Sequence, residues 1–280
     1  MRPKEFWHEI VANQYKIPDD EDLLTLTNEL LAYLGNPDPE LREQFAYSIL
    51  SRWIAVYRYY DIEQLKSLGR WLSTRLDKGI GEIGTDSVFV RSYSASVLSL
   101  IMYRDVREQF LDKAAIDSVL QTTELYLLFE RDLRSYDAEK GWINAIANTT
   151  SLLRYLAMNP KLSRRQLLSI FNTLLQKITQ PVAITYNHDE EDRLARVLIP
   201  IMMRDEIVLD DYHAWFAAFN EWHTQHESDE HYDAVHNATY QNIKRFLHSL
   251  YIQSLLAPRL SENAIQARPE LLDTIREFSV

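Results

Sequence analysis

Apolar residues recur three and four positions apart along most of this chain, as at Leu23, Leu26, Leu30 and Leu34. This spacing places them on one face of an α-helix, and the alternation that is typical of strands is scarce. The chain has six glycines. Long segments therefore lack a backbone breaker, and the pattern predicts an all-α protein.

Start and stop signals divide the chain into separate helices. Asp61 with Gln64, and Ser163 with Gln166, match the capping-box spacing, and Pro160 and Pro181 mark helix ends. We predict helices near residues 4 to 14, 20 to 34, 39 to 58, 62 to 76, 87 to 103, 113 to 129, 141 to 158, 164 to 178, 190 to 204, 211 to 223, 229 to 256 and 268 to 277.

About a dozen helices joined by short connections bury their apolar faces on their neighbours, most commonly as stacked antiparallel pairs. We therefore expect an irregular α–α superhelix, similar to armadillo or HEAT solenoids, that forms a single domain over residues 1 to 280. The C-terminal helices, residues 210 to 280, should pack on the preceding ones. Pro200 falls within a predicted helix and should kink or split it.

Composition and charge exclude several classes of function. The chain has no cysteine, which excludes disulfides, thiol nucleophiles and thiolate metal sites. Its start, MRPKEFWHEI, has no apolar signal region, and no later run is long enough to span a membrane. The net charge of -11 disfavours a nucleic acid partner. We expect a cytoplasmic protein that binds neither membranes nor nucleic acids.

The segment from Gly79 to Gly84 has the GxGxxG spacing of dinucleotide-binding loops, but a predicted helix precedes it instead of a strand. We interpret it as a helix end followed by a loop. Glu82, Asp86 and Arg91 should lie close to this loop. They form either an arginine–carboxylate clamp that fixes the loop or part of the wall of a ligand site.

Charged residues around Asp132 and Arg134 precede a Gly-Trp pair at Gly141 and Trp142. A helix predicted from Gly141 would place Trp142 on its apolar face and stack polar residues on another face. Those polar residues are Asn144, Asn148, Ser151 and Tyr155. The asparagines serve either hydrogen bonds between helices or a ligand site.

Two further segments are candidates for chemistry. Asp192 and Arg193 begin a predicted helix and can reach the same cleft, and Glu82, Asp132 or Asp192 can supply the paired carboxylates of a glycosidase. Five histidines lie between His213 and His236, but His226 and His231 are five apart, which does not fit the zinc-protease spacing. We predict no metal and no cofactor.

Several segments together resemble a bacterial family described as domain of unknown function 2785. They are Gly81 to Ser92, Glu130 to Arg134, Gly141-Trp142 and Glu191 to Ala195, within a family-like region of about residues 40 to 205. The resemblance implies a helical superhelix and brings no established activity. It also implies two histidines four apart and an aspartate after Gly-Trp, where this chain has Asn144, Asn148 and Ser151. Those residues retain hydrogen bonding but do not titrate near neutral pH.

Three functions remain open from the sequence. The first is a binding or scaffold module for a protein, a peptide or a small polar ligand, with a polar cleft around the 79 to 92 loop and the 130 to 148 segment. The second is a hydrolase that uses carboxylates of the same cleft and is impaired in this member. The third is a purely structural role for the charged cluster.

Overall fold

The computed structural model describes residues 1–226 and 233–279, and it confirms that the chain is all-α. Two compact units are present, Met1–Tyr155 and Leu156–Val280. The expectation of a single domain stays a prediction. In the described ranges, the only sheet is a two-stranded hairpin in the first unit.

The first unit contains helices α1 to α7, two π-helical segments, π1 and π2, and the hairpin strands β1 and β2. α7 begins in this unit, and its last two residues belong to the second. In chain order the elements are α1 (Lys4–Ala12), α2 (Leu23–Tyr33), π1 (Glu40–Tyr47), α3 (Ser48–Ser51), π2 (Arg52–Val56), α4 (Ile62–Ser73), α5 (Ser87–Glu108), α6 (Lys113–Phe129), β1 (Tyr136–Asp137), β2 (Gly141–Trp142) and α7 (Ala145–Ala157).

Helix α5 is the centre of the first unit, because side chains are buried around its whole circumference. Small serines such as Ser92 let neighbouring elements pack on every side of it. The Arg104 guanidinium reaches the Tyr60 carbonyl at 3.5 Å, and Arg91 reaches the Lys78 carbonyl at 2.7 Å. α4 therefore runs antiparallel to α5.

The second unit packs its helices around an aromatic core. Trp215 contacts the rings of Phe171, Phe219 and Phe246, and its indole nitrogen donates to the Phe171 carbonyl at 3.0 Å. This hydrogen bond offsets the cost of burying the indole N–H group. The helices are α8 (Arg164–Ile178), α9 (Glu190–Met202), α10 (Leu209–His226), α11 (Ala234–Leu256), α12 (Glu262–Gln266) and α13 (Arg268–Glu277).

Most predicted helices are present with small shifts at their ends, and the bounds of α6, α8 and α13 match the prediction. Both capping boxes form, at Asp61 and at Ser163. α9 continues through Pro200 without splitting. The short helix α12 was not predicted. The predicted start of a helix at residue 229, and His231, lie outside the described residues.

One prediction about local structure was wrong, and another predicted helix is present in a different helical form. The predicted helix at 141 to 158 begins only at Ala145, because Gly141 and Trp142 pair with Asp137 and Tyr136 in the hairpin. The predicted helix at 39 to 58 is mostly π-helical, a form that periodicity three and four apart does not distinguish. No helix in the described part of the chain is long and apolar enough to cross a membrane.

Candidate functional site

Arg91 of α5 and Glu130, the residue after α6, form a bidentate ion pair inside the first unit. Arg91 Nε donates to Glu130 Oε2 at 2.7 Å, and Nη2 donates to Oε1 at 3.0 Å. Both side chains are buried. The predicted arginine–carboxylate clamp is therefore present, but its carboxylate is Glu130, and neither Glu82 nor Asp86 supplies it.

The remaining Arg91 nitrogen fixes the start of the glycine loop. Nη1 donates to the carbonyls of Lys78 and Gly79 at 2.7 and 2.8 Å, and to the Ser87 hydroxyl at 2.9 Å. Gly79 has a φ of 64°, and a Cβ there would lie 2.7 Å from the Ser87 hydroxyl oxygen. Only glycine fits this position.

Asp132 holds the other end of the same loop. Its fully buried carboxylate accepts the Gly84 N–H at 3.0 Å and two N–H groups of the Arg134 side chain, at 2.8 Å from Nε and 2.6 Å from Nη2. The hydrogen bond to Asp132 raises the pKa of Arg134. Arg134 remains about one-third exposed. Asp132 therefore fixes backbone, and Arg134 is the member of the pair that solvent reaches.

Glu82 and Asp86 lie on the same loop but in separate contacts. The Glu82 carboxylate accepts the hydroxyls of Ser87 at 2.7 Å and Thr85 at 2.8 Å, and these bonds hold its pKa below the usual range. Asp86 pairs with the Lys140 ammonium at 2.6 Å. Asp86 occupies the N-cap position of α5, but its side chain makes no capping bond there. The loop is thus linked to the hairpin through Lys140.

The hairpin forms because its sequence suits a tight turn. The Asp137 carboxylate accepts the N–H groups of Glu139 and Lys140, each at 2.9 Å, as an Asx turn does. Gly141 follows with a φ of 75°. Three residues, 138–140, separate the paired Asp137 and Gly141, and a left-handed glycine after a tight turn is a common feature of hairpins. The Gly-Trp pair therefore serves a turn, and not the helix that we predicted.

Arg42 and Glu43 of π1 anchor this hairpin, and the sequence analysis did not identify them as candidates. The Arg42 guanidinium is fully buried and donates to the carbonyls of Lys140 and Trp142. The Glu43 carboxylate accepts the Trp142 N–H at 2.9 Å and the Arg42 Nη2 at 2.7 Å. A Cβ on Gly141 would lie 2.6 Å from that carboxylate. The hairpin backbone is thus fitted closely against π1.

The rings of Tyr136 and Trp142 lie exposed on the hairpin. Their centroids are 5.1 Å apart in an edge-to-face arrangement, and their exposed fractions are 51% and 40%. The prediction that Trp142 belongs to an apolar helix face was wrong, because the residue lies in a strand and its ring points away from the core. The two rings are the largest apolar surface of the hairpin.

The asparagines of the predicted polar stripe have different roles. Asn144 has a φ of 53° just before α7, where left-handed backbone suits asparagine. Asn148 donates its amide to the Ser92 hydroxyl at 2.8 Å, so it links α7 to α5 as an interhelical hydrogen bond. Ser151 bonds the Ala147 carbonyl of its own helix at 3.0 Å.

Asp192 and Arg193 belong to the second unit. The Asp192 carboxylate pairs with Arg196 at 2.9 Å and accepts the amide of Gln253, and Arg193 is exposed. Of the ten predicted site residues, eight therefore belong to the first unit and two to the second, where the Asp192 side chain has partners of its own.

The histidine-rich segment forms an aromatic stack. The rings of His226 and His236 lie against Trp222, with centroids 4.4 and 5.7 Å from it. Within residues 1–226 and 233–279, no group of three or more histidines, aspartates or glutamates is placed to hold a metal ion.

Comparisons with known proteins place the chain in a family without giving it an activity. No curated protein matches the chain. The crystal structure of an engineered protein from the Northeast Structural Genomics Consortium aligns over 90% of this chain and 97% of its own, with a TM-score of 0.42 and 14% identity. Structural similarity at this level does not support an inference about the fold of this chain.

The family model described as protein of unknown function, DUF2785, matches residues 76–252, which begins and ends later than the region of 40 to 205 that the sequence motifs indicated. The match covers more than half of the 280 residues. The chain therefore belongs to the DUF2785 family.

Proposed function

We propose that this chain is a binding or scaffold module whose contact surface is the exposed side of the hairpin. This hairpin surface consists of Arg134, Tyr136, Lys140 and Trp142. The observation that carries the proposal is the exposed Tyr136–Trp142 ring pair, with 51% and 40% of the two residues open to solvent. Such flat rings with a polar edge contribute strongly to recognition.

The buried charges support this function through rigidity. Arg42 and Arg91 are both fully buried. Arg42 donates to backbone carbonyls of the hairpin, and Arg91 donates to those of the glycine loop, which Asp86 links to Lys140 of the hairpin surface. Buried ion pairs bring little net stability, since their desolvation cost offsets the attraction. Holding irregular backbone in one arrangement lowers the entropy that a partner must remove on binding. We therefore propose that these two arginines keep the Tyr136 and Trp142 rings in place before a partner binds.

The contacts around the rings indicate the chemistry of the ligand. Arg134 and Lys140 each lie two positions before one of the two ring residues in the chain and are about one-third exposed, while their charges are already matched by Asp132 and Asp86. A ligand would therefore stack on the rings and hydrogen-bond to these side chains without needing a full negative charge. A peptide or a small polar ligand with a flat face fits this description.

The hydrolase alternative has weaker support. It requires a carboxyl group that keeps its proton near neutral pH or reaches the substrate. The hydrogen bonds from Ser87 and Thr85 lower the pKa of Glu82, which favours its ionised form. The Asp132 carboxylate is fully buried, and both of its oxygens accept hydrogen bonds. These two carboxylates suit a structural clamp better than acid catalysis.

The proposal extends to the arrangement and location of the protein. Within each unit, we propose that the helices stack as antiparallel pairs of an irregular, armadillo-like superhelix. The antiparallel packing of α4 on α5 supports this arrangement. The proposed setting is the cytoplasm, and the net charge of -11 favours a protein or small-molecule partner over a nucleic acid.

Peptide selection with a matched counter-selection tests the proposed function. A phage library of random 12-residue peptides is selected on the full chain and depleted on the Trp142→Ala variant. We expect enriched peptides whose Kd rises about five- to thirtyfold on Trp142→Ala, since an exposed aromatic anchor contributes about 1–2 kcal/mol. The Tyr59→Ala variant removes another partly exposed ring, in the connection before α4, and should keep the affinity.

One result of this selection would contradict the proposed function. If every enriched peptide binds wild type and Trp142→Ala equally, the hairpin surface is not the contact surface. Because Trp142 is exposed and its backbone carries the hydrogen bonds, the variant should fold normally. Circular dichroism and thermal unfolding check this point.

A further inference from the structure

A second surface of the first unit, separate from the hairpin surface, is a long groove between α4 and α6. Ile101 and Met102 of α5 form its floor, and its volume is about 1090 Å³. α6 runs antiparallel to α5, since Glu130 at its end reaches Arg91 near the start of α5. Both walls are therefore parallel helices, and the groove follows their length.

The dimensions of the groove match an α-helix lying half embedded in it. On α6 the lining extends from Ala115 to Phe129, a distance of about 21 Å at 1.5 Å per residue. Half of a helix 10–12 Å in diameter occupies roughly 800–1,200 Å³ over that length. Small-molecule pockets have volumes of about 300–1,000 Å³ and enclose most of their ligand. Here Leu125 and Phe129 on the rim are 47% and 54% exposed, so a small ligand would leave them uncovered.

Small residues on both walls let another backbone approach closely. Gly69 and Ser73 line the groove on α4, and Ala115 and Ser118 line it on α6. Gly69 lies in the middle of α4, where glycine is unfavourable. A Cβ there would meet only Ile101 and Leu98, at 3.8 Å or more, which is ordinary contact. The packing of the chain itself therefore does not require this glycine.

Charged residues are distributed unevenly along the groove. Leu76, Ile80, Leu125 and Phe129 line one end together with the exposed Asp77, and the exposed Arg70 lies near the middle of the α4 wall. At the other end, Glu63 pairs with Lys66 at 2.8 Å, and Asp112 accepts the Ala115 N–H at 2.8 Å. Arg70 donates to the Ser67 hydroxyl at 3.4 Å, and it takes part in none of the ion pairs between described residues. An occupant with an apolar stripe and a carboxylate near its middle, opposite Arg70, is complementary to this pattern.

We propose that the groove between α4 and α6 binds an amphipathic helix of a partner protein, about four turns long, with an acidic side chain that pairs with Arg70. Apolar residues of that helix at positions i, i+3, i+4 and i+7 cover Leu125 and Phe129. Helix-in-groove recognition uses this spacing of anchors.

Display of helical peptides on yeast tests the proposal directly. A library of 16-residue peptides is sorted against the full chain. Positions i, i+3, i+4 and i+7 are randomised, and the remaining positions carry helix-forming residues. The blocking variant is Ser118→Trp, which places a large ring in the groove from an exposed position. The matched control is Gln121→Trp, an exposed position on the same helix that does not line the groove. Thermal unfolding should show both variants folded.

We expect enriched peptides with an apolar stripe and a glutamate, whose Kd rises at least tenfold on Ser118→Trp and changes less than twofold on Gln121→Trp. The Arg70→Glu variant should weaken the same peptides, and replacing their glutamate by lysine should restore binding to it. Compensation of this kind identifies the ion pair itself.

Three outcomes would overturn the proposal. The first is an absence of enriched helical peptides, or binding that is insensitive to Ser118→Trp. The second is that no peptide binds, whereas palmitate binds with 1:1 stoichiometry and Ser118→Trp abolishes that binding. This result would identify a lipid site. The third is a wild-type dimer in light scattering that Ser118→Trp converts to a monomer, which would identify the groove as a surface for a second copy.

Discussion

The Arg91 guanidinium and the Glu130 carboxylate meet through two parallel hydrogen bonds of 2.7 and 3.0 Å, with neither side chain open to solvent. The pair joins the second turn of α5, the longest helix of its unit, to the end of α6. Each partner also bonds backbone, since Glu130 accepts the Asp132 N–H at 3.0 Å. Loss of either charge therefore affects both the loop and the segment that leads to the hairpin.

Replacing Glu130 by glutamine should destabilise the protein by about 3–5 kcal/mol, because the Arg91 charge would remain buried without its counter-ion. The measurement is guanidinium unfolding of the full chain. Asp86→Asn is the control, since it breaks the partly exposed pair with Lys140, for which we expect less than about 1 kcal/mol. Equal effects of the two variants would contradict a structural role for the buried pair.

Replacing Gly141 by alanine should cost more than replacing Gly84, although both have positive φ. At Gly84 nothing lies within 4 Å of an added Cβ, so only backbone strain of about 1–2 kcal/mol is expected. At Gly141 the Cβ also conflicts with Glu43 and Pro39, which adds about 1–3 kcal/mol. Thermal unfolding of both variants measures the difference. A smaller effect at Gly141 would mean that π1 moves away from the hairpin easily.

The Gly69→Ala variant should be more stable than wild type by about 0.5–1 kcal/mol, because alanine is the better helix former and its methyl meets only ordinary contacts. The added methyl lies beside Ile101 in the groove floor. We expect weaker binding of helical peptides together with a higher Tm. A lower Tm would show that the first unit needs glycine at this position for its own packing.

Burial raises the pKa of Glu191 in the second unit, and its Oε2 atom has no hydrogen-bond partner among the described residues. A raised pKa in the folded state stabilises the protein below the unfolded pKa, and this contribution is lost as pH rises through the folded value. Glu191→Gln should therefore gain stability relative to wild type as pH rises from 4 to 8. Tm measured across this range for both proteins gives the sign, and parallel curves would contradict it.

The helices were predictable from the sequence because their signals are local. The bounds of α6, α8 and α13, and the capping boxes at Asp61 and Ser163, depend on residues three or four apart. The hairpin was missed for the opposite reason. Gly141 and Trp142 look like a helix start, and only contacts with distant residues show that they lie in a strand.

The contact between the two candidate segments was predictable from the sequence, but the pairings of their charged residues were not. The sequence placed charged residues on two segments, and the structure shows that those segments meet through Arg91 and Asp132. Which carboxylate pairs with which arginine depends on tertiary packing, so Glu130 took the role expected of Glu82 or Asp86. Arg42 and Glu43 lie in an ordinary helical pattern about 100 residues away, and nothing in their neighbourhood marks them as hairpin contacts.

Because π1 anchors the hairpin, it limits how far the chain can be shortened without changing the hairpin. The family match begins at residue 76, yet the Lys140 carbonyl accepts a hydrogen bond from Arg42 and the Trp142 N–H donates to Glu43, and both of these residues precede that boundary. A fragment trimmed to residues 76–252 would keep the hairpin sequence and lose the element that shapes it. The minimal fragment that preserves the exposed ring pair must begin before Asn36, whose carbonyl in turn positions Arg42 at 2.7 Å. Boundaries drawn from sequence similarity alone would thus discard half of this structural unit.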